Sequence, residues 1–418
     1  MSAKQEIHLL ENRLRQYPSR TVQVFKTTHL TRILRKHINE TDADQGRKEF
    51  SCEQWIKGLF LMQIHKFESV RSFVRQLEQN NSWQEICGYK RNVPTQGQYS
   101  RRIPDQRIQE VLVRTFQTYQ HLIPMTRKKL PITPSEACFS LLQQGYYPFR
   151  MDCTSLKLSQ DRYPYATWGY VASEKNTFPS ARIHTIQEGV HGFITNYGPS
   201  GGHEHESPVA EVLLNEIEEI DSWLSINSIT DHPQPFIIFD RGYWKVARFQ
   251  DLDTRRWGWS IPWKKRTLIG VQLEMLNFPQ AENSPLEMLV WGSTTEQPWR
   301  RIIGKLNSSS NRFWDVLTND LELPPLTVLQ LQKERWEIET LFQWIKQQTT
   351  IKSPLGKSWM SFVTHCLLVT LLQLILSYFI LLLGFIRWQD HLTLLLENLR
   401  YSDLESWPDL YLIGEKFC

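Results

Sequence analysis

The sequence predicts a mixed α/β fold preceded by a helical N-terminal part. Three patterns carry the prediction. Apolar residues recur at helical spacing through residues 1 to about 130. Residues 147–260 alternate short strand-like and helix-like runs. From about residue 325 the chain returns to long helical runs. Strands and helices interleaved in this way build layered α/β or α+β domains, and 418 residues suffice for two or three of them.

In the N-terminal part, Glu53–Leu77 places Trp55, Ile56, Leu59, Phe60, Ile64 and Phe67 near helical spacing. A polar turn region runs from Gly88 to Gln98, and Tyr99-Ser-Arg-Arg-Ile103 leads into an amphipathic run from Ile108 to Phe116. Short helices with a basic joint fit a helix-turn-helix DNA reader. They fit equally a helical bundle packed on the next domain, and both readings stay open. A proline-containing connector, Leu130–Pro134, and a helical run to Gly145 lead to the change of pattern.

Tyr147–Ser159, Ala166–Ala172 and Gly192–Gly198 look like successive strands with turn residues between them. Pro208–Leu224 reads as a helix, and Phe236–Asp240 as a short buried strand that ends in an acid. Leu286–Gly292, Arg300–Leu306 and Phe313–Asn319 are further strand-like pieces, so residues 261–318 read as a β-rich insertion. Ser361–Ile386 contains no Asp, Glu, Lys or Arg and is long enough to cross a membrane. It stands alone and carries His365 and Gln373, so a buried core helix is preferred and a membrane span is the alternative.

Composition is that of a soluble globular chain, with 41% hydrophobic and 22% charged residues. The net charge of +4 is mildly basic, compatible with a nucleic-acid partner without requiring one. Cysteines at 52, 87, 138, 153, 366 and 418 form no C-x-x-C spacing, which argues against structural zinc or a redox pair. The polar, charged stretch Met1–Arg20 predicts no secretory signal.

The chemistry-bearing residues are carboxylates. Asp152 sits inside a predicted strand, where an acid is costly unless paired or bound to metal. Asp240 ends the run Phe236–Asp240, and ligand sites collect at such strand ends. Each alone could be a turn Asp. Glu334–Lys346 reads as one helix; at about 100° per residue Arg335, Glu339 and Lys346 share a row, beside an apolar stripe of Ile338, Leu341, Phe342 and Ile345. Glu337 lies about 160° from Glu339 and is excluded from that row. Carboxylates at strand ends and on a nearby helix are what two-metal phosphoryl transfer requires.

Arg335-x3-Glu339-x6-Lys346 matches the spacing of the Y-R-E-K signature of insertion sequence 4 family DDE transposases. Asp152-Cys-Thr-Ser155 and Phe239-Asp-Arg-Gly-Tyr243 resemble that family's first and second Asp motifs. Leu317-Thr-Asn319 also fits, and Arg182-Ile-His184 fits more weakly. The resemblance covers about residues 147 to 360. One position departs: Gln332 stands where the signature has Tyr.

The resemblance implies a ribonuclease-H-like catalytic core, in two parts at 147–260 and 325–400, with the β-rich insertion between Asp240 and Glu339 and the helical domain 1–130 in front. It implies that helix 361–386 packs inside the catalytic domain. Asp152, Asp240 and Glu339 would be the catalytic carboxylates and hold two magnesium ions, with manganese able to substitute. Arg335 and Lys346 would grip phosphates. DNA contacts are also expected at Arg241, Tyr243, Lys264, Lys265, Arg266 and Trp299, with a solvated surface as the alternative for the basic run Lys264–Arg266; Trp291, Trp299 and Trp314 are candidates for stacking on a flipped base, Trp336 adjoins the signature Arg, and buried core is the preferred role for most of these tryptophans. The implied partners are double-stranded DNA, as transposon ends and target, and a second copy assembled on it, with a cytoplasmic, nucleoid-associated location and no membrane. The alternative is a decayed transposase that only binds DNA. Gly202-His-Glu-His-Glu206, which looks metal-like, reads instead as an exposed loop before a helix.

Overall fold

A computed structural model describes residues 20–44, 49–90, 92–127, 134–171, 174–204, 206–218, 233–264, 272–277, 284–292, 297–307, 312–382 and 388–402. In chain order the helices are α1 (Arg20–Thr27), α2 (Leu30–Glu40), α3 (Cys52–Ile64), α4 (Val70–Gln79), α5 (Asn81–Cys87), α6 (Gln96–Arg102), α7 (Gln106–Arg127), α8 (Glu136–Gln143), α9 (Glu206–Glu218), α10 (Val246–Thr254), α11 (Pro325–Glu334), α12 (Trp336–Gln348), α13 (Trp359–Leu382) and α14 (Trp388–Ser402). The strands are β1 (Tyr146–Lys157), β2 (Thr167–Val171), β3 (Asn176–Glu188), β4 (Ile194–Gly201), β5 (Gln234–Phe239), β6 (Gly258–Pro262), β7 (Gln272–Asn277), β8 (Leu286–Trp291), β9 (Trp299–Gly304) and β10 (Trp314–Thr318). The chain divides into two compact units. One combines Met1–Tyr119, Leu158–Tyr165 and Trp344–Cys418; the other combines Gln120–Lys157 and Ala166–Gln343.

The first unit is helical. Its periodic stretch Glu53–Leu77 forms two helices, α3 and α4. Ser51 and Gln54 form a reciprocal capping box at the start of α3, Lys66 turns the chain with a positive φ of 55°, and Ser69 caps α4. Gly58 lets α3 approach Tyr99 so closely that a Cβ would lie 2.0 Å from its hydroxyl. Tyr99 in turn shares a 2.8 Å hydrogen bond with Tyr89 and meets Trp55 edge-on.

Helix α13 groups with this unit, packed with α1, α3 and α14. The reason lies in its sequence: it is apolar all round and needs cover on every side. It has the length and hydropathy of a membrane span, but 94% of its most apolar window is buried. Its polar residues find protein partners. Gln109 donates to the Met360 carbonyl and to Thr364, Gln373 donates to Ser377, and His365 Nδ1 accepts from the Leu355 amide. Burial pushes the His365 imidazole down to about 3.

The second unit is a large mixed sheet with helices on both faces. Strand order is β2-β3-β1-β5-β6-β10-β9-β8-β7, with β4 pairing β3 beyond β2 on the same side. Strands β4, β3 and β1 are antiparallel neighbours, whereas β1, β5 and β6 run parallel. Strands β7 to β10 continue the same sheet as an antiparallel meander joined to β6. The period-2 alternation of β5 feeds two cores: Ile237 and Phe239 pack on one side with α9 and α10, and Phe236 and Ile238 on the other with α8 and α11. Strand β3 has no clear apolar alternation in sequence. Pro179 interrupts it, and its buried positions include His184, Thr185, Gln187 and Glu188. Helix α9 starts at Glu206, two residues before the proline expected to open it.

Candidate active site

Strand β1 is buried through most of its length and carries Asp152 on the same face as Arg150. Its parallel pairing with β5 sets Met151 opposite Phe239, so Asp152 and Asp240 stand side by side where β5 ends. The Asp240 amide donates to the Met151 carbonyl at 3.3 Å. The Asp240 side chain accepts from the Gly242 amide at 3.2 Å and caps the short 3-10 turn Arg241–Tyr243. A tight turn in Asp-Arg-Gly-Tyr thereby fixes the second acid.

The third acid comes from a helix joint. Glu334–Lys346 is not one continuous helix: α11 ends at Glu334, and α12 begins at Trp336. The Arg335 amide still reaches Leu331 O at 3.1 Å, but the Ile338 amide bonds back only three residues, to Arg335 O at 3.0 Å. At this tightened joint the guanidinium gathers all three carboxylates. Nη1 donates to Asp152, Nη2 donates to Glu339 at 2.8 Å, and Nη2 lies 3.5 Å from Asp240. Asp152 is nearly buried, whereas Asp240 and Glu339 are partly open to solvent.

Burial pushes the Asp152 carboxyl up to about 7; Arg335 opposes this, and Asp240 and Glu339 add to it. Burial works against the charge of Arg335, yet Asp152, Asp240 and Glu339 outweigh it and hold the guanidinium above its ordinary range. Three oxygen donors at two strand ends and one helix suit a hard divalent cation. Their arrangement is another matter: among the described residues no three His, Cys, Asp or Glu side chains form a ready metal shell. The carboxylates are turned onto Arg335. Cavities of about 410 and 500 Å³ in the helical unit are lined by none of these acids.

Sequence reasoning missed two supports. Arg150, almost wholly buried, donates to Glu337 at 2.8 Å and lies 3.8 Å from Glu334. Strand and helix joint are thus crossed: strand acid to helix arginine, strand arginine to helix acids. The available signal was Arg150 two residues before Asp152, on one strand face. The second support is Asp253, which accepts from Trp259 Nε1, Trp299 Nε1 and Asn319 Nδ2 at 2.9, 2.8 and 2.8 Å. Asn319 of the Leu317-Thr-Asn motif also accepts from the Trp259 amide at 2.9 Å and so ties the end of β10 to β6, and Thr318 Oγ1 donates to the Trp259 carbonyl at 2.6 Å.

Two expected DNA contacts are corrected. Tyr243 is fully buried, and its hydroxyl pairs with His184 Nδ1 at 2.9 Å, while His184 Nε2 meets Ser200 at 2.8 Å. Trp299 is 1% exposed, edge-on to Trp259 and Phe249. Both are core side chains with no face for DNA. Gln332 is also buried: it donates to the Phe239 carbonyl at 3.0 Å and accepts from Ser260 at 3.3 Å.

Arg241 and Lys264 are exposed; Lys265 and Arg266 lie outside the described residues. Lys346 sits in the last turn of α12, in the stretch assigned to the helical unit. Trp291 and Trp314 are half-buried, and Arg312 lies over the Trp314 ring. Trp336, next to Arg335, is 60% exposed. His203 is exposed and the Glu204 carboxylate accepts from the Gly201 amide; His205 lies outside the described residues.

Residues 143–375 match the family model described as transposase DDE domain, and residues 10–103 match one described as transposase domain (DUF772). The transposase-like protein y4zB of Sinorhizobium fredii is 49% identical over 43 residues, 10% of this chain and 12% of that protein's length. A cryo-EM structure of a piggyBac transposase synaptic complex with hairpin DNA is similar at a TM-score of 0.42 and 11% identity, over 95% of this chain and 83% of that one. The first model spans more than half of the chain, including Asp152, Asp240, Arg335 and Glu339, and the chain belongs to the transposase DDE domain family.

Proposed function

We propose that this chain is a DNA transposase of the insertion sequence 4 type, which cleaves transposon ends and transfers the freed 3′-hydroxyl strand into target DNA. The observation that carries the reading is the convergence of Asp152, Asp240 and Glu339, from β1, the end of β5 and α12, on one guanidinium. Supporting it, the strand succession β4-β3-β1-β5-β6, three antiparallel strands followed by two parallel additions, has the layout of a ribonuclease-H-like core. The order Asp, Asp, Arg, Glu, Lys along the chain has the family's spacing.

Asp152, Asp240 and Glu339 are the residues that would hold magnesium, or manganese in its place. Bound there, the cations would activate the attacking oxygen and stabilise the leaving one in an in-line displacement. Gln332 and the Gly242 amide keep Asp240 at the strand end, and Arg150 holds the helix joint against β1. Arg335 and Lys346 are suited to phosphate oxygens, and exposed Arg241 and Lys264 to the DNA backbone. Trp336, exposed and next to Arg335, is suited to stack on a base. The helical region 1–130, acting as a reader of DNA ends, and a dimer bridging two ends complete the reading, with a nucleoid-associated location.

The test is magnesium-dependent cleavage of a labelled duplex carrying the DNA that flanks the coding region, with wild type compared to Glu339→Gln. Cleavage by the wild type that is lost in the variant, with binding retained, is the expected result. Specific binding without cutting by either protein would favour a decayed, binding-only copy, a reading that Gln332 at the signature Tyr position keeps in play. Equal cutting by both would remove Glu339 from the site.

A further inference from the structure

We propose that Arg335 and a divalent cation are alternative occupants of the same carboxylate site, so that metal enters by displacing the guanidinium, which is thereby released towards DNA. The proposal rests on the reading of Asp152, Asp240 and Glu339 as metal ligands.

Two Arg335 nitrogens touch all three acids: Nη1 meets Asp152, and Nη2 meets Glu339 at 2.8 Å and Asp240 at 3.5 Å. The guanidinium occupies the point on which the three carboxylates converge. The remaining nitrogen, Nε, is buried with no hydrogen-bond partner, so the carboxylates are the guanidinium's whole anchorage. With all groups ionised, one guanidinium among three carboxylates leaves two negative charges over, and a divalent cation is a stronger counter-charge than the arginine it replaces.

The site is open on one side. Arg335 stands between two helices, at a joint whose next residue, Trp336, is exposed, and two of its three partners are partly open to solvent. Once out, the guanidinium carries its charge to the mouth of the site, where a phosphate would arrive. The signature arginine would thus have two positions: counter-ion of the acids without metal, and phosphate ligand with it. Grip on DNA becomes coupled to metal occupancy without any larger rearrangement.

The test is binding of manganese alone to the full chain, read from the electron paramagnetic resonance signal of unbound Mn2+. Arg335→Gln removes the competing charge and should bind Mn2+ about tenfold or more tighter than wild type, with Arg335→Lys in between. Equal or weaker binding by Arg335→Gln, with clear binding by wild type, would overturn the displacement while leaving the metal-ligand reading intact. Absence of binding in every variant would overturn both. If Arg335→Gln does not fold without metal, refolding with Mn2+ should restore the native circular dichroism, because the cation takes the guanidinium's place. Failure to restore it would overturn the proposal.

Discussion

Arg335 and Asp152, 183 residues apart in sequence, are joined guanidinium to carboxylate between a helix joint and the central strand β1. Removing one member of a nearly buried ion pair leaves an uncompensated charge, which costs more than the pair itself contributes. Arg335→Ala should therefore lower the stability of the metal-free protein by about 3–5 kcal/mol in urea unfolding. Glu339→Gln, at a side chain 39% exposed, should cost about 1 kcal/mol or less. Equal effects would mean that Asp152 is not held by Arg335 in solution.

Gln332 supplies a second test of how the acids are set. It bridges Phe239, the residue before Asp240, to Ser260 on β6. Gln332→Leu removes both bonds and should cost about 1–3 kcal/mol. Gln332→Tyr, which restores the signature residue, must force a larger ring into a filled space and should also destabilise, by about 1–3 kcal/mol. A stabilised Tyr variant would show that the joint has room that its packing does not suggest.

The tryptophans should separate cleanly. Trp299→Ala deletes a core side chain and the bond to Asp253, and should cost about 3–5 kcal/mol. Trp336→Ala should change stability by no more than about 0.5 kcal/mol. If Trp336 stacks on a base, the same change should weaken DNA binding by about 1–3 kcal/mol, measured by fluorescence anisotropy on a labelled transposon end. Unchanged affinity would remove Trp336 from the interface.

Two buried histidines predict acid sensitivity. Burial pushes His184 and His365 each down to about 3 from an ordinary 6.5. A histidine with a lowered folded-state pKa is neutral when folded and protonated when unfolded below about 6.5. Its share of stability is thus present above pH 6.5 and lost as pH falls towards 3, at up to about 1.4 kcal/mol per pH unit for each residue. Urea midpoints at pH 7.5 and 5.5 should show this fall, and His184→Gln or His365→Gln should make it shallower. An unchanged slope in both variants would place the acid sensitivity elsewhere.

Much of this molecule was legible along the chain. The helical period of α3 and α12, the apolar run of β5 and the acids at Asp152 and Asp240 are local signals, and local signals suffice to place an element and its buried face. Strand β3 was not legible, because its buried side chains are polar and become acceptable only once His184, Tyr243 and Ser200 satisfy one another. Nor could the sequence say which tryptophan lies in the core, or place Tyr243 and Gln332 there: an aromatic ring or an amide in a motif shows its role only when its neighbours are known.

By itself, then, the sequence determined the order and spacing of Asp152, Asp240, Arg335 and Glu339, and the mixed α/β class that carries them. The tertiary structure alone decided that β1 and β5 pair in parallel with their acids adjacent, that the helix breaks at Arg335, and that α13 groups with the N-terminal helices. The physical reason is range. Periodicity records which face a residue presents, whereas the partner that meets that face, such as Arg335 for Asp152, comes from a segment 183 residues away and exists only when the sheet and the helix joint have formed together.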